Sequence, residues 1–204
     1  MAPLRNPLPK GGTSLRRAAA SGAPPVAATS PLGAPLPPAS IDGLAGLLGI
    51  LAGRGGCLGL SAVADVLTFS LDDIAPLLAA ADLLGFAEVA GGEVKLTASG
   101  SRWAGSPAAS AKDQFAVAAF ERAPLVRAIT RALAATGDGA LDERFFVDLL
   151  RRGFAEQAAR AQIRTAIAWG SYGELFEFDA GRRQLRLEQT GRELATAEQD
   201  VKSA

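Results

Sequence analysis

From residue 41 onward, apolar side chains recur at three- and four-residue steps and then switch to a two-residue alternation. Ile41, Leu44, Leu47, Leu48 and Leu51 predict an amphipathic helix. Gly53, Gly55 and Gly56 stop it. A short helix follows over 60–67, with Ser61 at a cap position. Ser70 and Asp73 have capping-box spacing at the start of a third helix that runs to Leu84. Leu71, Ile74, Leu77, Leu78, Ala81 and Leu84 form its predicted buried face. Pro76 lies inside the pattern and either kinks the first turns or moves the start later. Residues 86–96 alternate about Gly91-Gly92 and predict a β-hairpin. Residues 97–103 begin another helix, with Trp103 as a core plug.

The same order recurs downstream. Helices are predicted over 112–122, 125–136, 142–152 and 155–169, with a turn at 137–139. Phe145, Phe146, Leu149 and Leu150 face inward in one, and Ala159, Ile163, Ala166 and Ile167 in the next. Residues 174–179 and 184–188 form a second hairpin around Ala180-Gly181. Three helices and a hairpin is the winged helix-turn-helix order. The expected fold is therefore mainly α with small β-hairpins, an α+β chain of tandem winged-helix-like units. The first unit covers 41–108 and the second 109–189, each with its own core. Residues 1–40 are rich in proline, glycine, alanine and serine and predict a disordered tail or linker. Residues 190–204 are polar and predict a flexible C-terminal tail.

Composition narrows the chemistry. The chain has 204 residues, zero formal net charge and no histidine. That removes the commonest general base and metal ligand. The single cysteine, Cys57, excludes an internal disulfide and any multi-cysteine metal site, and reads as a half-buried loop residue. No Walker A loop is present: Lys10-Gly11-Gly12-Thr13-Ser14 has the wrong order. The paired carboxylates Asp72-Asp73 and Asp142-Glu143 sit at predicted helix starts, where the helix dipole favours them. The expectation is a chain that is not an enzyme, with no cofactor and no metal. No apolar run reaches the roughly 20 residues of a membrane span. Arg16-Arg17 lacks the apolar stretch of an export signal. The cytoplasm is the expected location.

Charge separates the two units. Residues 41–103 hold three cations and seven anions. The helix that would enter a DNA groove carries Asp72, Asp73 and Asp82 and no cation, so phosphate neutralisation fails there. Residues 112–188 hold twelve cations and eleven anions. Arg160 and Arg164 lie one turn apart, and Arg182, Arg183 and Arg186 lie on the hairpin. These five either contact nucleic acid or form a solvated face paired with Glu156 and Glu188. A DNA-binding regulator using the second unit is thus the alternative, although nucleic acid is not the expected partner.

Several blocks resemble the AAA-associated C-terminal domain. They are residues 48–56 (LGILAGRGG), 72–76 (DDIAP), 80–89 (AADLLGFAEV), 96–100 (LTASG) and 166–176 (AIAWGSYGELF). The resemblance runs in order over about 41–188. It implies a bacterial module attached to the ATP-binding subunit of ABC importers of the nitrate, sulfonate and taurine type. Its role there would be regulatory, sensing a signal or pairing subunits. The ATPase half has no counterpart in these residues, which implies a relative acting in trans or a gene fragment, with 1–40 a linker remnant or a new tail. The expected partner is an ABC ATPase or permease subunit, with a homodimer allowed and the membrane reached only through the transporter. Trp169, Tyr172 and Phe176 either form the protein contact or fill the second core. A small-molecule sensor remains open, since no convergent polar set marks a ligand site.

Overall fold

The computed structural model describes residues 34–67 and 70–203. Residues 1–33, which hold most of the expected N-terminal tail, lie outside the described residues. Among the described residues, no helix is long and apolar enough to cross a membrane.

The first unit runs α1 (Ile41–Gly53), β1 (Cys57–Gly59), α2 (Leu60–Leu67), α3 (Leu71–Leu83), β2 (Ala87–Ala90), β3 (Glu93–Leu96) and α4 (Ala98–Ala104). A connector, α5 (Ala108–Arg122), follows. The second unit repeats the order with α6 (Pro124–Ala134), β4 (Ala140–Asp142), α7 (Glu143–Leu150), α8 (Glu156–Tyr172), β5 (Phe176–Asp179), β6 (Gln184–Leu187) and α9 (Gln189–Ser203). The chain is mainly helical, with two small antiparallel sheets ordered β1-β3-β2 and β4-β6-β5.

Local sequence accounts for the boundaries. The Ser40 hydroxyl caps α1 by accepting the Gly43 amide. Ser70 and Asp73 form the full capping box of α3, which keeps Pro76 inside it. Gly91 and Gly92 both have positive φ, 60° and 81°, as the two-residue hairpin turn requires. The Thr97 hydroxyl accepts the Gly100 amide and so starts α4. Asp142 does the same for α7 through the Arg144 amide.

The units match bond for bond along the backbone. The Phe86 amide donates to Ala81, as Leu175 does to Gly170. Leu96 donates to Gly56, as Leu187 does to Gly139. Thr97 donates to Phe86, as Glu188 does to Leu175.

Six expectations are corrected. Each sheet gains a third strand, β1 or β4, and Cys57 is an exposed residue of β1 rather than a half-buried loop residue. The expected flexible tail at 190–204 is helical as far as Ser203, because α9 packs on α5 and α6 with Ala195 buried. Residues 34–40 are not part of a disordered tail, because Leu36 and Ala39 are buried against the body. Leu71 and Phe145 each point outward, 51% exposed, because each sits at the solvent edge of its helix. The expected separate cores are one continuous cluster running from Leu36 to Leu185. An aromatic chain crosses the middle: Phe86 stacks on Trp103, Phe115 of α5 tilts against both, and Trp169 and Tyr172 meet Phe115 edge-on. The connector therefore belongs to both units, which is why their cores merge.

Candidate functional site

Of the expected contact residues Trp169, Tyr172 and Phe176, the first and last lie inside the core. Trp169 and Phe176 are fully enclosed. The Trp169 indole N–H donates to the Ala39 carbonyl at 3.1 Å. The polypeptide at 36–39 lies over α8, because the Leu36 amide donates to the Gln162 side chain at 2.6 Å and Gln162 donates back to Leu36. Gly170 leaves room for the Phe176 ring, since a Cβ there would lie 2.4 Å from it. Tyr172 is half-buried against Phe115, and burial pushes its phenol pKa up. Trp169 and Phe176 fill the core and offer no contact surface, while Tyr172 packs against it half-exposed.

What remains outside is polar and unevenly charged. The first unit presents Asp65 on α2, Asp72 and Asp82 on α3, and Glu88 and Glu93 on the hairpin, all exposed. Asp73 is held by its cap, and hydrogen bonds from Ser70 push its pKa down. Lys95 stands opposite Glu88 in the sheet register. Leu71 projects beside Asp72.

The second unit presents the same elements with cations and anions mixed. Arg160 and Arg183 come together at a depression of about 360 Å³ between α7, α8 and the hairpin turn, where Arg144 and Arg151 join them. Sequence reasoning missed these last two. The signal is in the sequence: Arg144 and the C-cap residue Arg151 lie off the apolar side of α7 marked by Phe146, Val147 and Leu150. Arg164 is exposed on α8, and Arg186 is half-buried on β6.

Most of these arginines are already engaged. Arg160 donates to Glu156 at 2.8 Å, and that hydrogen bond holds the Glu156 carboxyl below its usual pKa. Arg183 pairs with Glu143 at 2.5 Å, and Arg182 with Asp179 at 4.0 Å. Arg151 lies 3.6 Å from Asp148 and 3.9 Å from Glu156. No side-chain hydrogen bond or ion pair is made by Arg144, Arg152, Arg164 or Arg186 among the described residues. The expected stripe is therefore a partly neutralised face.

A second depression, about 340 Å³, lies beside Gly85 between α4 and α5. Arg102 and Arg122 line it with Asp113 and Glu121, so its charges balance. Among the described residues, no group of three or more His, Cys, Asp or Glu is placed to hold a metal ion.

Residues 61–179 match the family model of the C-terminal AAA-associated domain. The match begins in α2 and ends with β5, so it includes α5 and the packed block around Trp169. The chain matches no curated protein and no solved structure.

Proposed function

Because the chain belongs to the C-terminal AAA-associated domain family, we propose that it is a non-catalytic accessory module of the ATP-binding subunit of a bacterial nitrate-, sulfonate- or taurine-type ABC importer. It regulates that subunit through protein contacts, on the cytoplasmic side of the inner membrane. The family match over 61–179 carries this reading. Two further features support it. The sequence holds no histidine and no Walker A loop with which to turn over nucleotide. The order helix, strand, helix, helix, strand, strand in each unit supports a winged-helix reading, in which the hairpin and the helix before it form a presenting face.

The test is co-purification. The tagged full chain, recovered from native lysate and analysed by mass spectrometry, brings down an ABC ATPase or permease subunit. Recovery of neither, from cells that express the transporter, overturns the reading. The DNA-binding alternative rests on Arg144, Arg151, Arg160 and Arg183 sharing one depression. It requires binding that falls steeply with salt. No binding at low salt ends it.

A further inference from the structure

We propose that copies of this chain associate head to tail, the acidic face of the first unit on one copy docking on the arginine face of the second unit on the next.

The ion pairs are distributed unevenly. Among the described residues, every salt bridge joins residues numbered 112 or higher. Thus Asp65, Asp72, Asp82, Glu88 and Glu93 are exposed and make no ion pair among the described residues. On the second unit, Arg144 and Arg152 are likewise exposed and make no ion pair among the described residues. Elements α2, α3 and the first hairpin expose six carboxylates against the single cation Lys95, the depression between α7, α8 and the second hairpin turn sets four arginines against Glu143 and Asp148, and the chain as a whole is neutral. Neutrality means that bringing copies together meets no net repulsion.

Each face also carries an exposed apolar group. Leu71 stands next to Asp72, and Phe145 stands next to Arg144. An apolar centre with a charged rim is the arrangement of a protein-binding patch, and opposite rim charges set orientation and speed of encounter. Two different faces make a heterologous contact, which propagates to a ring or a filament rather than closing as a two-fold dimer. Such association requires no transporter subunit, so it and the transporter reading fail or stand separately.

Charge reversal tests this in the full chain by sedimentation velocity. Wild-type protein gains mass with concentration at low salt and returns to monomer at high salt. D65K/D72K shifts the acidic face by four positive charges, and R144E/R152E shifts the arginine face by four negative ones. Each variant alone stays monomeric, with association weakened about tenfold or more. An equimolar mixture of the two regains association, which misfolded variants do not do. Monomeric wild type at low salt overturns the proposal, as does a mixture that stays monomeric while both variants show native circular dichroism. A variant with Arg5, Lys10, Arg16 and Arg17 all changed to Gln associates like wild type. If it does not, the occupant of the acidic face is the N-terminal segment and the proposal is overturned. Association that disappears on nuclease treatment shows nucleic acid as the bridging partner and overturns it equally.

Discussion

At the turn before the first hairpin, the backbone goes left-handed at Gly85, φ 71°; at the matching turn of the second unit, the same conformation falls on Glu174, φ 53°. At the hairpin turns, Gly92, φ 81°, is matched by Arg183, φ 54°. The first unit meets these positions with glycine, which has no Cβ to clash. The second holds charged residues there, at a cost of order 1–3 kcal/mol each. Both are tied to another element: Glu174 to Lys112 of α5 at 2.6 Å, and Arg183 to Glu143 of α7 at 2.5 Å. One set of backbone bonds thus serves two surface policies. Every ion pair among the described residues joins residues numbered 112 or higher, whereas the first-unit carboxylates other than the capping Asp73 face outward without one.

The comparison fails most visibly if the two units unfold separately. Removing Trp169 or Trp103 should cost about 3–5 kcal/mol each, as large core truncations do. Each indole also donates to a carbonyl outside its own helix, Ala39 for Trp169 and Ala111 for Trp103. The chain has two tryptophans, so each variant keeps one fluorescent reporter in the other unit. In Trp169→Ala, Trp103 fluorescence and circular dichroism should lose signal at one shared, lowered denaturant midpoint. A first unit that keeps the wild-type midpoint would show that Phe115 does not couple the cores.

Next in size are two glycines at matching positions. A Cβ at Gly100 would lie 1.9 Å from the Phe86 carbonyl oxygen, and one at Gly191 would lie 2.1 Å from that of Leu175. Backbone cannot retreat as a side-chain tip can, so each change to Ala should cost about 1–3 kcal/mol. Equal costs in thermal denaturation support the equivalence of α4 and α9. A silent Gly191→Ala means that α9 docks loosely.

These glycines also show what could be read in advance. Leu96-Thr97-Ala98-Ser99-Gly100 is echoed by Leu187-Glu188-Gln189-Thr190-Gly191, so α9 was legible by repetition. Polarity hid it: most of its residues are solvent-facing. The helices with clear apolar stripes and the Gly-Gly hairpin were legible directly. So was the Glu156–Arg160 pair, four residues apart on one helix. β1 and β4 were not, because three residues are too few to show alternation. Trp169 lies one turn beyond Ala166 and so continued a legible apolar stripe; its aromatic neighbours made it look like a surface motif instead. The pairing of Arg183 with Glu143 spans 40 residues, and no local pattern encodes it.

Gly85 measures the left-handed turn itself. Gly85→Ala should lose about 1 kcal/mol, mostly backbone strain. The nearest atoms to the added Cβ belong to the Arg122 guanidinium, which can swing away. Glu174→Gly, at the equivalent position, should change stability by less, because relief of strain offsets the added freedom of the unfolded chain. Urea midpoints for both variants decide it. A larger loss for Glu174→Gly means that its bond to Lys112 matters more than its backbone.

The smallest effect separates α9 from α4. The first unit anchors α4 with buried Trp103, whereas α9 relies on shallow packing at Leu194 and Ala195 and on Arg131 of α6, which binds Glu198 through two hydrogen bonds. Those bonds hold the Glu198 carboxyl at about 2, below its usual 4.5. A carboxyl with a lowered folded pKa stabilises above its unfolded value and loses that contribution as it protonates. The contribution should therefore be complete above about pH 4.5 and fade toward pH 2. Both side chains are partly exposed, so solvent screening limits the pair to about 0.5–1 kcal/mol. Glu198→Gln should speed amide exchange in α9 at neutral pH and leave α4 unchanged. The difference from wild type should shrink as pH falls through that window. A difference that is constant with pH would mean that packing at Leu194 and Ala195, rather than the ion pair, holds the last helix.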